Sequence, residues 1–116
     1  MSAKAKPSKE EMVKGLSTHD MGIIETLFVS QLENIEESGL DPKTHSLVRI
    51  AALISIDAPP ASYMWQIGIA LDSGVTPEEI LGVMIALQPT IGMARIVAAA
   101  PEIALALGIE MEGLDF

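Results

Sequence analysis

Apolar residues recur at helical spacing along most of the chain, and turn residues cut that pattern into segments. From Met21 to Ser38 they fall at Ile24, Leu27, Phe28, Leu32 and Ile35. Glu25, Glu33, Glu36 and Glu37 fall mostly on the other side, which predicts an amphipathic helix stopped by Gly39. Ahead of it, Ser8-Lys9-Glu10-Glu11 has the cap-plus-glutamate spacing of a helix start, and the short helix it opens is expected to stop near Gly15. Asp41-Pro42 opens the next helix, expected over 43–56, because aspartate accepts orphan N–H groups and proline tolerates the first turn. Its apolar residues, Leu47, Ile50, Ala51, Leu53 and Ile54, run almost all the way round, as in helices buried on several sides. Asp57-Ala58-Pro59-Pro60 breaks it, and a further helix is expected from Ala61 to Ser73, before Gly74.

Thr76-Pro77-Glu78-Glu79 joins a cap, a first-turn proline and a capping-box glutamate, the clearest helix start in the chain. That helix is expected to run to Gln88, with Pro89 and Gly92 marking a kink or junction, and a last helix reaches Leu107 before Gly108. No segment keeps a period-two alternation, so the fold class is all-α with five or six helices. Residues 1–8 read as a disordered tail and 9–116 as one helical domain, a reasonable size for a single core. Small residues crowd the later helices, among them Ala51, Ala61, Gly68, Ala70, Ala86 and Ala98. They permit close helix approach, and the surplus of apolar surface points to a homo-oligomer.

Composition narrows the chemistry. Without cysteine there is no thiolate zinc site, no iron–sulfur cluster and no thiol redox centre, and His19 and His45 are the only imidazoles. No metal and no cofactor is expected. Four of the seven basic residues (Lys4, Lys6, Lys9 and Lys14) lie in the first 14 positions. Beyond them 14 acids face Lys43, Arg49 and Arg95, a formal balance of −11. Such a body repels phosphate backbones, and 3% aromatics cannot build a base-stacking platform, so nucleic acid is excluded as a partner. The basic N-terminus has no apolar run of the secretory kind. The uncharged stretch 80–94 is interrupted by Gln88, Pro89, Thr90 and Gly92, which argues against a membrane span. A cytoplasmic protein is expected.

The stretch from Leu40 to Leu107 resembles the carboxymuconolactone decarboxylase family, which shares its fold with the alkylhydroperoxidase D-like proteins. Leu47-Val48-Arg49-Ile50-Ala51-Ala52 is similar to that family's early helix. Ala70-Leu71-Asp72-Ser73-Gly74-Val75-Thr76-Pro77-Glu78-Glu79-Ile80 is similar to its central segment, and Gly92 stands where its helix junction falls. The resemblance implies a helical, cofactor-free protein that assembles as a trimer or hexamer and takes a small organic acid or lactone. It also places the family's reactive groups on inert ones. The family histidine falls on Gln66, the cysteines of the peroxidase branch on Pro59 and Ser62, and the early-helix glutamate on Ser46 or Leu47. The acidic position after Glu-Glu-Ile falls on Gly82, and the junction tyrosine and proline on Thr90 and Ala94. A thiol peroxidase mechanism, which needs a thiolate, is excluded.

Candidate site residues follow from both lines. Arg49 and Arg95 stand in otherwise apolar helices, where a guanidinium either clamps a carboxylate bidentately or pairs with a glutamate such as Glu78, Glu79 or Glu102. Tyr63, Trp65, Gln66, Gln88 and Thr90 border the pocket that the resemblance implies. Gln66 could hydrogen-bond a ligand and Tyr63 could donate a proton, or the aromatics could pack at an interface. His45, near a helix start, is a candidate base, and His19 a weaker one beside a loop. Glu78 and Glu79 are explained by capping, and Met64, Met84 and Met93 by gap-filling in the core.

Overall fold

The computed structural model describes residues 8–28 and 34–109. Of the tail expected over 1–8, residues 1–7 lie outside the described residues, as do 29–33 and 110–116, whereas Ser8 is described. Seven helices are present among those described: α1 (Lys9–Ser17), α2 (Met21–Phe28), α3 (Ile35–Ser38), α4 (Pro42–Ser55), α5 (Pro60–Asp72), α6 (Pro77–Ile91) and α7 (Met93–Ala106). The all-α class is confirmed. The helix expected over 21–38 corresponds to α2 and α3, which brings the count among the described residues to seven rather than the five or six expected.

The chain divides into two compact units, Met1–Glu37 and Ser38–Phe116. In the first, Ser8 caps α1 by accepting the Glu11 N–H (3.1 Å), and Asp20 accepts the Ile23 N–H at the start of α2 (3.2 Å). Gly15 does not end α1, as expected from the sequence; it is buried inside the helix, which continues to Ser17. The reason is steric, since a Cβ added there would stand 2.7 Å from Ile23 Cβ. The glycine is where α1 and α2 approach each other.

The second unit packs α4 against α5, α6 and α7, with α7 also against α5 and α6. Its core is Ile50 and Ile54 of α4, Tyr63, Ile67 and Ala70 of α5, Ile80 of α6, and Ile96, Ala99 and Ile103 of α7, with Ala58 and Val75 from the connections. Burying aliphatic side chains of this size contributes about 1.5–3 kcal/mol each. Helix starts follow the sequence reading. Asp41 accepts the Thr44 N–H (2.8 Å), and Thr76 and Glu79 form the full capping box (3.1 and 2.9 Å). Lys43 of α4 reaches Glu79 of α6 (3.2 Å) and ties the two helix starts together.

Helix ends share one device. In α1, α4, α5 and α7 a left-handed residue follows the last turn, and the next N–H bonds back five residues, as in Asp20 to Gly15, Ala58 to Leu53, Val75 to Ala70 and Ile109 to Ala104. Gly74 and Gly108 take the left-handed position in α5 and α7, but His19 (φ 57°) and Asp57 (φ 55°) take it in α1 and α4. Pro89 does not end α6 at Gln88. The helix carries it as an internal residue to Ile91 and stops at Gly92 (φ 82°), whose N–H bonds to the Gln88 carbonyl. Pro101 is likewise internal to α7. Among the three methionines read as core fillers, Met84 packs against the core, whereas Met64 and Met93 are exposed. None of the helices described is long and apolar enough to cross a membrane.

Candidate functional site

Positions 63, 66, 67 and 70 lie on one stripe of α5, three to four residues apart, and all four are buried. Three are ordinary core residues; the fourth is Gln66. It is 6% exposed, and it makes no hydrogen bond to another described residue. No described side-chain nitrogen or oxygen is both sealed from solvent and without a partner. The Gln66 amide therefore opens onto solvent at one edge while the rest of the side chain is enclosed. Ser46, on the inward stripe of α4 with Ile50 and Ile54, is the other buried polar residue among those described.

Tyr63 is 1% exposed, and its hydroxyl donates to the Leu53 carbonyl (3.2 Å), pinning α5 to the end of α4. Burial, and then the negative Asp57, raise its phenol above the usual value. The proton is held, in a hydrogen bond directed at the backbone.

Arg95 meets Asp57 (3.6 Å), not Glu78, Glu79 or Glu102. Both side chains are about half exposed, at 46% and 55%. The contact is longer than a direct hydrogen bond and is screened by water, so it holds the guanidinium only loosely. Asp57 was not marked out by the sequence reading. The available signal was an acidic residue ahead of Ala58-Pro59-Pro60, at a helix end where glycine is usual. His45 and Arg49, half-buried one turn apart on α4, both have partners within the chain. Trp65 is 71% exposed, on the opposite side of α5 from Tyr63 and Ile67. Gln88 is half-buried and Thr90 exposed near the end of α6. The described residues include no group of three or more His, Cys, Asp or Glu side chains placed to hold a metal ion.

An all-helical core of four packed helices, with polar residues at 46 and 66 on its inward stripes, is the class of arrangement that these observations define. The model of the carboxymuconolactone decarboxylase family matches residues 26–104, and the chain belongs to that family. No curated protein and no solved structure matches it. Its lack of cysteine is consistent with a non-peroxidase branch.

Proposed function

We propose that this protein is a cofactor-free carboxymuconolactone decarboxylase-like protein that holds a small organic acid or lactone beside α5. The observation that carries the reading is Gln66, an enclosed amide without a partner among the described residues, at the position where the family resemblance puts a histidine. Water reaches that amide only at one edge, so a bound molecule that pairs with it replaces few water hydrogen bonds with its own. In this reading Gln66 polarises the ligand's carbonyl, while Arg49 and Arg95 attract its carboxylate. Gln88 and Thr90 complete the rim. Where turnover occurs it is carboxy-lyase-like, with His45 as the proton acceptor, since glutamine cannot exchange a proton at neutral pH. Tyr63 acts by positioning α5.

Exposed apolar residues support a second element of the reading, assembly of copies into a trimer or hexamer. Leu81 and Ile85 of α6, Val97 and Leu105 of α7, and Met64 and Trp65 of α5 all face outward. Side chains of this kind, Trp above all, are enriched in the centres of protein interfaces. A scaffold without a ligand would use the same faces. Native mass spectrometry of the purified protein tests both readings. A small acid or lactone carried on an assembly supports the proposal, whereas a ligand-free 12.3 kDa chain refutes it.

A further inference from the structure

We propose that the group docked on Gln66 is uncharged and both donates and accepts hydrogen bonds, as a carboxamide does, or a carbonyl with a neighbouring hydroxyl. The inference rests on the reading above that a small molecule is held beside α5, and it names the part of that molecule which enters. The buried polar residues described are Ser46 and Gln66, and neither ionises. An anion pushed in as far as the Gln66 amide would meet no buried counter-charge, and an unpaired charge in such surroundings is strongly disfavoured. A side-chain amide offers a carbonyl acceptor and an NH2 donor side by side. A partner with the opposite pair satisfies both, whereas a carboxylate satisfies the donor and opposes the acceptor. Arg95, half exposed and only loosely engaged with Asp57, lies outside the buried stripe and supplies no charge within it.

The test uses two probes of nearly equal shape, propionamide and propionate, added to the full chain labelled with nitrogen-15. The Gln66 NH2 resonances are identified by their loss in Gln66→Leu. Propionamide should shift them, and propionate should need at least about tenfold more for an equal shift, the ratio expected for roughly 1.4 kcal/mol of discrimination. Gln66→Leu should also abolish the backbone amide shifts that propionamide causes in the parent, because the group that pairs with the probe is gone. Shifts by propionate as strong as those by propionamide, or stronger, overturn the proposal and leave the small-acid pocket standing. Shifts by neither probe overturn the pocket along with it. Backbone shifts by propionamide that persist unchanged in Gln66→Leu show that the probe does not dock on the amide, and this too overturns the proposal.

Discussion

Replacing Tyr63 with phenylalanine should destabilise the protein by only about 0.5–1 kcal/mol, although the hydroxyl is buried. The Leu53 carbonyl that accepts it also accepts the Ala58 N–H at 3.0 Å, so losing the phenol leaves no orphaned acceptor. The cost therefore falls in the lower part of the roughly 0.5–1.5 kcal/mol range for a hydrogen bond. At the usual unfolding entropy per residue this lowers the melting temperature by roughly 2–4 °C. Tyr63→Ala removes the ring from the core as well, and a cavity of that size costs about 3–5 kcal/mol. Alkaline pH provides a second readout. The folded phenol titrates above its ordinary value of 10.0, so its contribution is fully present below that pH. It is lost as pH rises through the folded value, because the unfolded chain gives up the proton first. Urea denaturation at pH 7 and pH 11 should show this alkaline loss in the parent and a smaller one in Tyr63→Phe. If Tyr63→Phe melts as low as Tyr63→Ala, the reasoning is wrong. If it keeps its stability but loses ligand, Tyr63 belongs to the site and is not merely a strut.

Asp57→Gly should raise the melting temperature, since it relieves a left-handed non-glycine residue and removes a carboxylate from a helix C-terminus; a fall would show that the Arg95 contact outweighs both. Gly15→Ala should lower stability despite alanine's better helix propensity, and Ile23→Ala should relieve the clash in the double variant, both read by denaturant midpoints. A Cβ at Gly82 would meet nothing within 4 Å. Gly82→Ala should thus add up to about 1 kcal/mol to an isolated chain, while Gly82→Arg should break the proposed assembly in light scattering. Asp41 and Glu79 both titrate below their ordinary values of 3.8 and 4.5, mainly because the Thr44 and Thr76 N–H groups bond to their carboxylates. Their stabilisation is present above those values and lost as pH falls through the lower folded ones. Melts between pH 6 and pH 3 should decline less steeply for Asp41→Asn and Glu79→Gln than for the parent.

Helix starts were legible because they are written in consecutive residues. Asp41-Pro42 and Thr76-Pro77-Glu78-Glu79 carry cap, proline and glutamate within four positions, and each formed as expected. Helix ends were less so. Gly15 looked like a terminator because its packing partner, Ile23, lies in another helix. His19 and Asp57 end helices without the glycine that would announce it. Pro89 broke the expected pattern but not the helix, since an exposed proline forfeits one amide bond without colliding with the core. The family could be read from the run Gly74 to Ile80 because it is contiguous. The site was legible only as a set of residue types. That Gln66 lies enclosed follows from its spacing with Tyr63 and Ala70. That it lacks a partner, and that Arg95 meets Asp57, depends on side chains distant in sequence, about which local pattern is silent.

Pro89 and Pro101 have a consequence for recognition. Having no N–H, each deprives the carbonyl four residues earlier of its usual helical donor, and those carbonyls belong to Ile85 and Val97, both on exposed stretches. The oily strips of α6 and α7 thus each carry a strongly polar point. A surface that is merely greasy would dry these carbonyls without replacing their water. One that brings an N–H or O–H to the right height would not. In the proposed assembly the prolines would therefore act as a filter, turning a strip that could adhere to any apolar surface into one that favours a partner in a single register.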